Sequence, residues 1–218
     1  MKNIAIILAG GVGSRMNSKT PKQFLKINGK EMILYSLKTF SLCKKINNII
    51  IVSHPKYISK VNSLIKNSKT DKVISIFPGG KSRQESVLNG LEEAKRLFGD
   101  CNVLIHDSAR PMVTERIILD NIKALESNDC CTTALPTTDS IYEVKKGKVI
   151  AGLDRNNIYL AQTPQSGKLN ILYSAYKDAK KEFTDEASLL SSIGLKPVIV
   201  LGDICNKKVT TKEDLKDL

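Results

Sequence analysis

Between Leu8 and Phe24 the chain carries Gly10, Gly11 and Gly13, then Arg15, then Lys22 directly after Pro21. Glycines let backbone N–H groups approach a phosphate without a Cβ in the way. Cations at a fixed distance beyond them neutralise the polyphosphate that the backbone has positioned. The apolar run Ile4 to Leu8 comes just before, so the segment reads as a strand feeding a nucleoside-triphosphate loop. It is not a Walker A loop, which ends in Gly-Lys-Ser/Thr where this chain has Ser14-Arg15-Met16. Nor is it a Rossmann fingerprint: Met16 stands where a third small residue belongs, and Glu31, the nearest carboxylate, falls early in an expected helix. The alternative is a plain Gly-rich turn with solvated cations; the Arg15/Lys22 pair and the Pro-Lys-Gln sequence argue against it.

Five further segments carry groups able to act on the same ligand. His106-Asp107-Ser108-Ala109-Arg110-Pro111 follows the apolar run Val103–Ile105. Ligands of α/β sheets gather beyond the carboxyl ends of strands, so Asp107 would stand beside the Gly-rich loop if the two strands are neighbours. A carboxylate facing a triphosphate calls for a divalent cation between them, and Mg²⁺ takes one or two carboxylates plus phosphate oxygens. The other reading of Asp107 is a helix cap or an Asp–Arg ion pair. Gly79-Gly80-Lys81-Ser82-Arg83 forms a second Gly-rich turn into a helix, whose free N–H groups suit a base, a ribose or a phosphate. Leu153-Asp154-Arg155-Asn156 with Gln162-Thr163-Pro164-Gln165, and Asn206-Lys207-Lys208-Val209-Thr210-Thr211, offer hydroxyls and cations. Each of these alone is equally well a solvated surface.

The elements that must position these groups alternate. Candidate strands are 4–8, 48–53, 72–77, 102–106 and 131–135. Between them Met32, Leu34, Leu37 and Phe40, then Ile58, Val61, Leu64 and Ile65, then Val87, Leu88, Leu91 and Ala94, then Ile117, Ile118, Ile122 and Leu125 follow one-sided helical spacing. Strand–helix alternation predicts an α/β fold with a largely parallel sheet. After Pro136 the pattern breaks. Residues 140–144 and 148–152 flank Lys145-Lys146-Gly147 and read as a hairpin turning at Gly147. It has few residues that could bury it in the main sheet, and a lone hairpin is marginal in water. An arm that needs another surface, most simply a second copy of the chain, is the inference. Helices over 170–181 and 185–193, a strand over 197–201 and a short last helix capped by Thr211 and Asp214 complete the expectation.

Composition bounds the rest. At 218 residues with 41% hydrophobic residues, no repeats and no low-complexity linker, one domain plus an arm at about 138–156 is the simplest account. No apolar run reaches the roughly 18 residues of a membrane span, and no signal-peptide pattern opens the chain, so a cytoplasmic location is expected. Five cysteines without a Cys-x-x-Cys, and two histidines, argue against disulfides, structural zinc and a His-rich metal site. The net charge of +12 raises the question of nucleic acid. Yet the lysines are scattered and aromatics make up only 5%, so no stacking platform is visible. A Lys-rich surface suited to small anionic substrates, with no nucleic-acid partner, is the better reading.

Taken together, the motifs 8–16, 21–24, 78–87, 106–111, 153–156, 162–165, 184–188 and 206–215 resemble the cytidylyltransferases that make CDP-activated polyol phosphates. The nearest branch is the 2-C-methyl-D-erythritol 4-phosphate cytidylyltransferases, with ribitol-5-phosphate cytidylyltransferases a near relative. The resemblance implies a Rossmann-like nucleotidyltransferase fold, with helices on both faces of the sheet and a homodimer-forming β-arm. It implies CTP and a polyol phosphate as substrates and Mg²⁺ as cofactor. Carried over by motif, Arg15, Lys22 and Lys208 would grip the triphosphate and transition state, and Asp107 would hold Mg²⁺. Ala9, Gly10, Gly11, Gly80, Arg83 and Ser86 would bind cytidine and its phosphates. Arg110, Ser140, Arg155, Thr163 and Thr184 would serve the polyol phosphate, Ser140 and Arg155 from the partner's arm. Features are mixed between branches: Leu8-Ala9-Gly10-Gly11 is similar to the ribitol branch, while the segments at 106–111, 153–156 and 184–188 are similar to the erythritol branch. Isoprenoid synthesis is the main expectation; wall- or capsule-polymer synthesis from ribitol or glycerol phosphate is the alternative.

Overall fold

The computed structural model describes residues 1–11, 20–68, 70–211 and 213–215. Arg15 therefore lies outside the described residues.

Along the chain run β1 (Asn3–Ala9), β2 (Lys26–Ile27), β3 (Lys30–Glu31), α1 (Ile33–Leu42), β4 (Asn48–Ser53), α2 (Ile58–Ser68), β5 (Val73–Pro78) and α3 (Arg83–Phe98). Then come β6 (Asn102–Asp107), α4 (Glu115–Ser127), β7 (Cys130–Pro136), β8 (Ile141–Lys145), β9 (Lys148–Leu153), β10 (Tyr159–Lys168), α5 (Leu169–Lys177), α6 (Glu186–Ser192) and β11 (Val198–Leu201). Seven strands form one sheet in the order β11-β7-β10-β6-β1-β4-β5. β6, β1, β4 and β5 are parallel, as are β7 and β11; β10 alone among these runs antiparallel to both its neighbours.

β1 is buried at every position because both faces are covered. Ile4, Ile6 and Leu8 join the core under α3, α5 and α6. Ala5, Ile7 and Ala9 join the opposite core under α1, α2 and α4. Each fully buried isoleucine contributes about 1.5–3 kcal/mol, so the loop leaving β1 is rooted in the most strongly held part of the molecule. α3 sits unusually close to the sheet. A Cβ built on Gly90 would lie 2.8 Å from Ile6 Cγ2 and 2.9 Å from Val52 Cγ2, both branched core side chains.

Three expectations need correction. Residues 159–168, outside every expected strand, form a central one: β10 buries Gln162, Thr163, Gln165 and Ser166, polar residues without the apolar alternation that marks a strand. Glu31 belongs to a small hairpin with β2, turned by Asn28 (φ 47°) and Gly29 (φ 79°), not to a helix. α5 ends at Lys177, short of the expected 181. The hairpin appears as expected: among the described residues β8 and β9 pair only with each other, joined by Lys146 (φ 48°) and Gly147 (φ 75°), the two left-handed positions of a tight hairpin turn.

Replacing Gly90 by alanine tests this packing. Helix propensity favours alanine by about 1 kcal/mol, but overpacking two core methyls costs about 1–3 kcal/mol. Urea denaturation should show net destabilisation of Gly90→Ala; a more stable variant would mean that α3 lies further from the sheet.

Candidate active site

The strands β6, β1, β4 and β5 end side by side, at Asp107, Ala9, Ser53 and Pro78. Their following loops enclose a cleft of about 540 Å³ lined by Gly10, Gly11, Lys22, His54, Gly80, Arg83, Ser86, Asp107 and Lys208 among others. The two Gly-rich loops and the acidic loop, separate in sequence, therefore share one space.

Each wall has a local cause. Lys22 opens a single 3-10 turn, Lys22–Phe24, whose Gln23 is buried and donates to the carbonyl of Ala9 at 2.8 Å. That bond ties the lysine's turn to the end of β1. Lys22 Nζ lies 3.4 Å from the carbonyl of Val209. On the opposite wall α3 starts at Ser82, whose Oγ accepts from the N–H of Glu85. Glu85 Oε2 in turn accepts the N–H of Lys81 at 2.6 Å, and Ser86 Oγ accepts the N–H of Gly80 at 3.1 Å. Gly80 must be glycine: an added Cβ would collide with the Glu85 side chain.

Asp107 is the centre of charge. Its Oδ2 accepts from Lys208 Nζ at 2.6 Å and its Oδ1 faces Arg83 Nε at 3.4 Å. Burial alone would raise its pKa, but Arg83 and Lys208 outweigh burial and hold the carboxyl well below the usual carboxylate range. Arg83 is itself fixed by a two-pronged bond to Glu186, 2.9 and 3.1 Å, and Tyr176 Oη donates to the same carboxylate at 2.7 Å. Glu186 is buried and a hundred residues away in sequence; reading the chain singled out Thr184 of this segment and missed it. The available signal was a carboxylate at the first position of α6.

Behind Asp107 a buried relay fixes the backbone. The N–H of Asp107 donates to Thr163 Oγ1 at 3.2 Å, and Thr163 Oγ1 contacts His106 Nδ1 at 3.0 Å. His106 Nε2 lies 3.1 Å from the carbonyl of Arg110. A carbonyl only accepts, so Nε2 carries the proton, and Nδ1 accepts from the Thr163 hydroxyl. Burial pushes the His106 pKa down to about 4 from 6.5, which keeps this neutral tautomer.

The residues named from sequence thus divide. Lys22, Lys208, Asp107, Gly10, Gly11, Gly80, Arg83 and Ser86 line the cleft. Ala9 is buried at the end of β1 beneath it, and Thr163 stands behind Asp107. Arg110 is buried, donating Nη1 to the carbonyl of Asn206 (2.8 Å) and Nη2 to that of Ala161 (2.9 Å). Ser140, Arg155 and Thr184 are exposed; Arg155 Nη1 donates to the carbonyl of Thr138 at the base of the arm. Among the described residues no cluster of three His, Cys, Asp or Glu side chains is placed to hold a metal. Asp107 is a single ionised carboxylate at the cleft, a donor set that fits Mg²⁺ completing its shell with ligand oxygens and water rather than an all-protein cage.

The family profile described as IspD, 2-C-methyl-D-erythritol 4-phosphate cytidylyltransferase, matches residues 3–217. The cytidylyltransferase of that name from Thermosipho melanesiensis is 38% identical, the match covering 98% of this chain and 94% of the relative. One from Clostridium botulinum is 37% identical over the same shares. Among solved structures, 4-diphosphocytidyl-2C-methyl-D-erythritol synthase of Anaerococcus prevotii superposes with a TM-score of 0.86 at 26% identity, covering 99% of this chain and 93% of that one. The Francisella tularensis 2-C-methyl-D-erythritol 4-phosphate cytidylyltransferase gives 0.81 at 31% identity, over 100% and 98%.

The His106 shift predicts a pH dependence. The folded state binds fewer protons than the unfolded chain between the two pKa values, so stability falls as pH drops from about 6.5 through about 4. The loss is about 3 kcal/mol from this residue at about 1.4 kcal/mol per unit; Asp107 acts in a separate, lower window, below its ordinary 3.8. Urea denaturation between pH 4 and 7 should show this slope in the parent chain and a flatter one in His106→Gln. Equal slopes would remove His106 from the account.

Proposed function

Since the chain belongs to the 2-C-methyl-D-erythritol 4-phosphate cytidylyltransferase family, we propose that it transfers the cytidylyl group of CTP to 2-C-methyl-D-erythritol 4-phosphate in isoprenoid synthesis, releasing pyrophosphate. The observation that carries this reading is the convergence of Lys22, Arg83, Lys208 and Asp107 on one cleft between two Gly-rich loops.

The chemistry follows from charge. The substrate phosphate oxygen is already ionised at neutral pH, so no protein base is needed to activate it. It forms a bond to the α-phosphorus of CTP as the bond from that phosphorus to the bridging oxygen breaks, and pyrophosphate leaves with the electron pair. Both reactants are polyanions, so the barrier is dominated by repulsion and by charge building around the α-phosphorus. Lys22 and Lys208, whose segments meet where Lys22 Nζ lies 3.4 Å from the Val209 carbonyl, would offset that charge, and the motif assigns Arg15 the same role. The backbone N–H groups at Gly10 and Gly11 orient the nucleotide, while Gly80, whose N–H is held by Ser86 Oγ, lets it approach the opposite wall closely. Asp107 would hold Mg²⁺, which when bound supplies a Lewis acid for the phosphate oxygens.

We place the polyol phosphate at the mouth of the cleft, where a partner's arm would bring Ser140 and Arg155, with Thr184 nearby. Support for a homodimer comes from the arm itself: Tyr142, Val144, Val149 and Ile150 are all more than half exposed on a hairpin whose strands, among the described residues, pair only with each other. No helix among the described residues is long and apolar enough to cross a membrane. All five cysteines are free thiols, the state that a reducing compartment maintains, which supports a cytoplasmic location.

The test is pyrophosphate release with CTP, Mg²⁺ and a panel of methylerythritol, ribitol and glycerol phosphates, with ATP and UTP as controls. The highest kcat/KM is expected for CTP with methylerythritol phosphate; preference for ribitol phosphate would move the chain to polymer synthesis. Lys22→Ala should lower kcat about 10²–10³-fold with a smaller change in KM for CTP. A loss confined to KM would make Lys22 a ground-state ligand only. Val144→Glu with Val149→Glu should yield a monomer by light scattering that still binds CTP but turns over slowly; a dimer of unchanged mass would overturn the arm's role.

A further inference from the structure

The adjacent glycines that follow β1 face two different ends of the cleft. A Cβ built on Gly11 would lie 3.8 Å from Lys22 Cε, whereas one built on Gly10 would lie 3.6 Å from Ser86 Oγ and 3.9 Å from the backbone nitrogen of His54. Lys22, Lys208, Arg83 and Asp107 thus mark a charged end. Gly10, His54 and Ser86 mark another, where the lining is neutral apart from the exposed Lys81. Strand order agrees. β4, which ends at Ser53 just before His54, is the second strand from β6, two strand spacings or roughly 10 Å from Asp107.

His54 is held from several sides. Pro55 follows it, which favours the extended backbone seen here (φ −56°, ψ 134°). Its carbonyl accepts the N–H of Tyr57 at 2.9 Å, and its ring leans on that of Tyr57 with centroids 5.6 Å apart. Nδ1 accepts the N–H of Lys56 at 3.2 Å and so caps the single 3-10 turn Pro55–Tyr57. Because Nδ1 accepts, the neutral ring carries its proton on Nε2. Among the described residues Nε2 has no hydrogen-bond partner, and the half-buried His54 lines the cleft. The cap uses one ring nitrogen and leaves a donor at the other.

We propose that His54 Nε2–H donates to an acceptor of the nucleoside, on the base or the ribose, and so helps the cleft distinguish CTP from a bare polyphosphate. Charge alone makes no such distinction: Lys22 and Lys208 attract the product pyrophosphate as they attract the substrate's phosphates. A neutral donor at the far end adds affinity only where a nucleoside is attached. The proposal rests on the cytidylyltransferase reading of the cleft.

Two substitutions separate this role from the cap. His54→Asn keeps an acceptor for the Lys56 N–H, asparagine being a favoured cap, but loses the distal donor. His54→Gln carries its amide donor one carbon farther out, near the Nε2 position. Isothermal titration of CTP should give a Kd raised about 3–10-fold for His54→Asn, the loss of one neutral hydrogen bond, and raised less than about 2-fold for His54→Gln. Inorganic tripolyphosphate, which has no nucleoside, should bind the parent and both variants alike. His54→Ser, a second cap without the distal donor, should match His54→Asn and takes its place if that variant does not melt cooperatively. Deoxy analogues name the acceptor. If 2′-deoxy-CTP or 3′-deoxy-CTP binds the parent and His54→Asn equally, the missing hydroxyl is the acceptor; if both analogues keep the difference, the acceptor is on the base. An unchanged CTP Kd in His54→Asn would overturn the proposal. The reverse order, with His54→Gln the weaker binder, would reduce His54 to a cap, and an equal loss of tripolyphosphate binding would also overturn it. A parent chain that binds CTP but turns over no polyol phosphate would defeat the proposed reaction and leave this inference standing; one that does not bind CTP would defeat both.

Discussion

One buried carboxylate held between two cations organises this molecule. Asp107 stands at the carboxyl end of β6, with Lys208 on one oxygen and Arg83 facing the other. Unpaired, a charge this buried would be costly; paired, it stays ionised at any physiological pH. The pairing also leaves excess positive charge, because Arg83 is balanced by Glu186 while Lys22 and Lys208 face the same cleft. An anionic nucleotide can therefore enter without the acid repelling it. Removing Lys208 would leave Asp107 only the longer contact to Arg83, which Glu186 also claims, so fold and site are linked through the same residues.

The sheet supplies the precision this arrangement needs. Four parallel strands deliver three loops and Asp107 itself to one edge, each rooted in core that is buried on both faces. β10, inserted antiparallel between β6 and β7, adds something different: a buried polar rail. Its Thr163 supports the backbone of Asp107, and its Gln162 and Thr163 anchor Asn206 and so the approach of Lys208. Its Gln165 ties in α6 through the N–H of Ala187, next to Glu186, which holds Arg83. One strand thus touches the supports of the acid and of both its cations.

What could be read from sequence and what could not divide along this rail. β1, β4, β5 and β6 announce themselves as apolar runs, and the helices by one-sided spacing, because burial against the core leaves a periodic signature. The hairpin was legible through Lys146-Gly147, which suit a two-residue turn. Gly10, Gly80, Asp107 and Lys22 were legible because phosphate chemistry restricts residue type and spacing. β10 was not, since its buried face is stabilised by hydrogen bonds from Gln162, Thr163 and Gln165 rather than by apolar burial. Glu186 was hidden for a related reason: its role comes from Arg83, to which no local spacing connects it. The resemblance carried the identity of the family, and the matched relatives agree with it across nearly the whole chain.

The central claim is that Asp107 is present for the reaction and not for holding nucleotide. Isothermal titration of CTP into Asp107→Asn, paired with its turnover at saturating substrates, tests this most directly. Titrated without Mg²⁺, removing a negative charge from beside a triphosphate should leave CTP affinity equal or tighter, while kcat with Mg²⁺ falls by at least about 100-fold. Weaker CTP binding with turnover preserved would contradict the account.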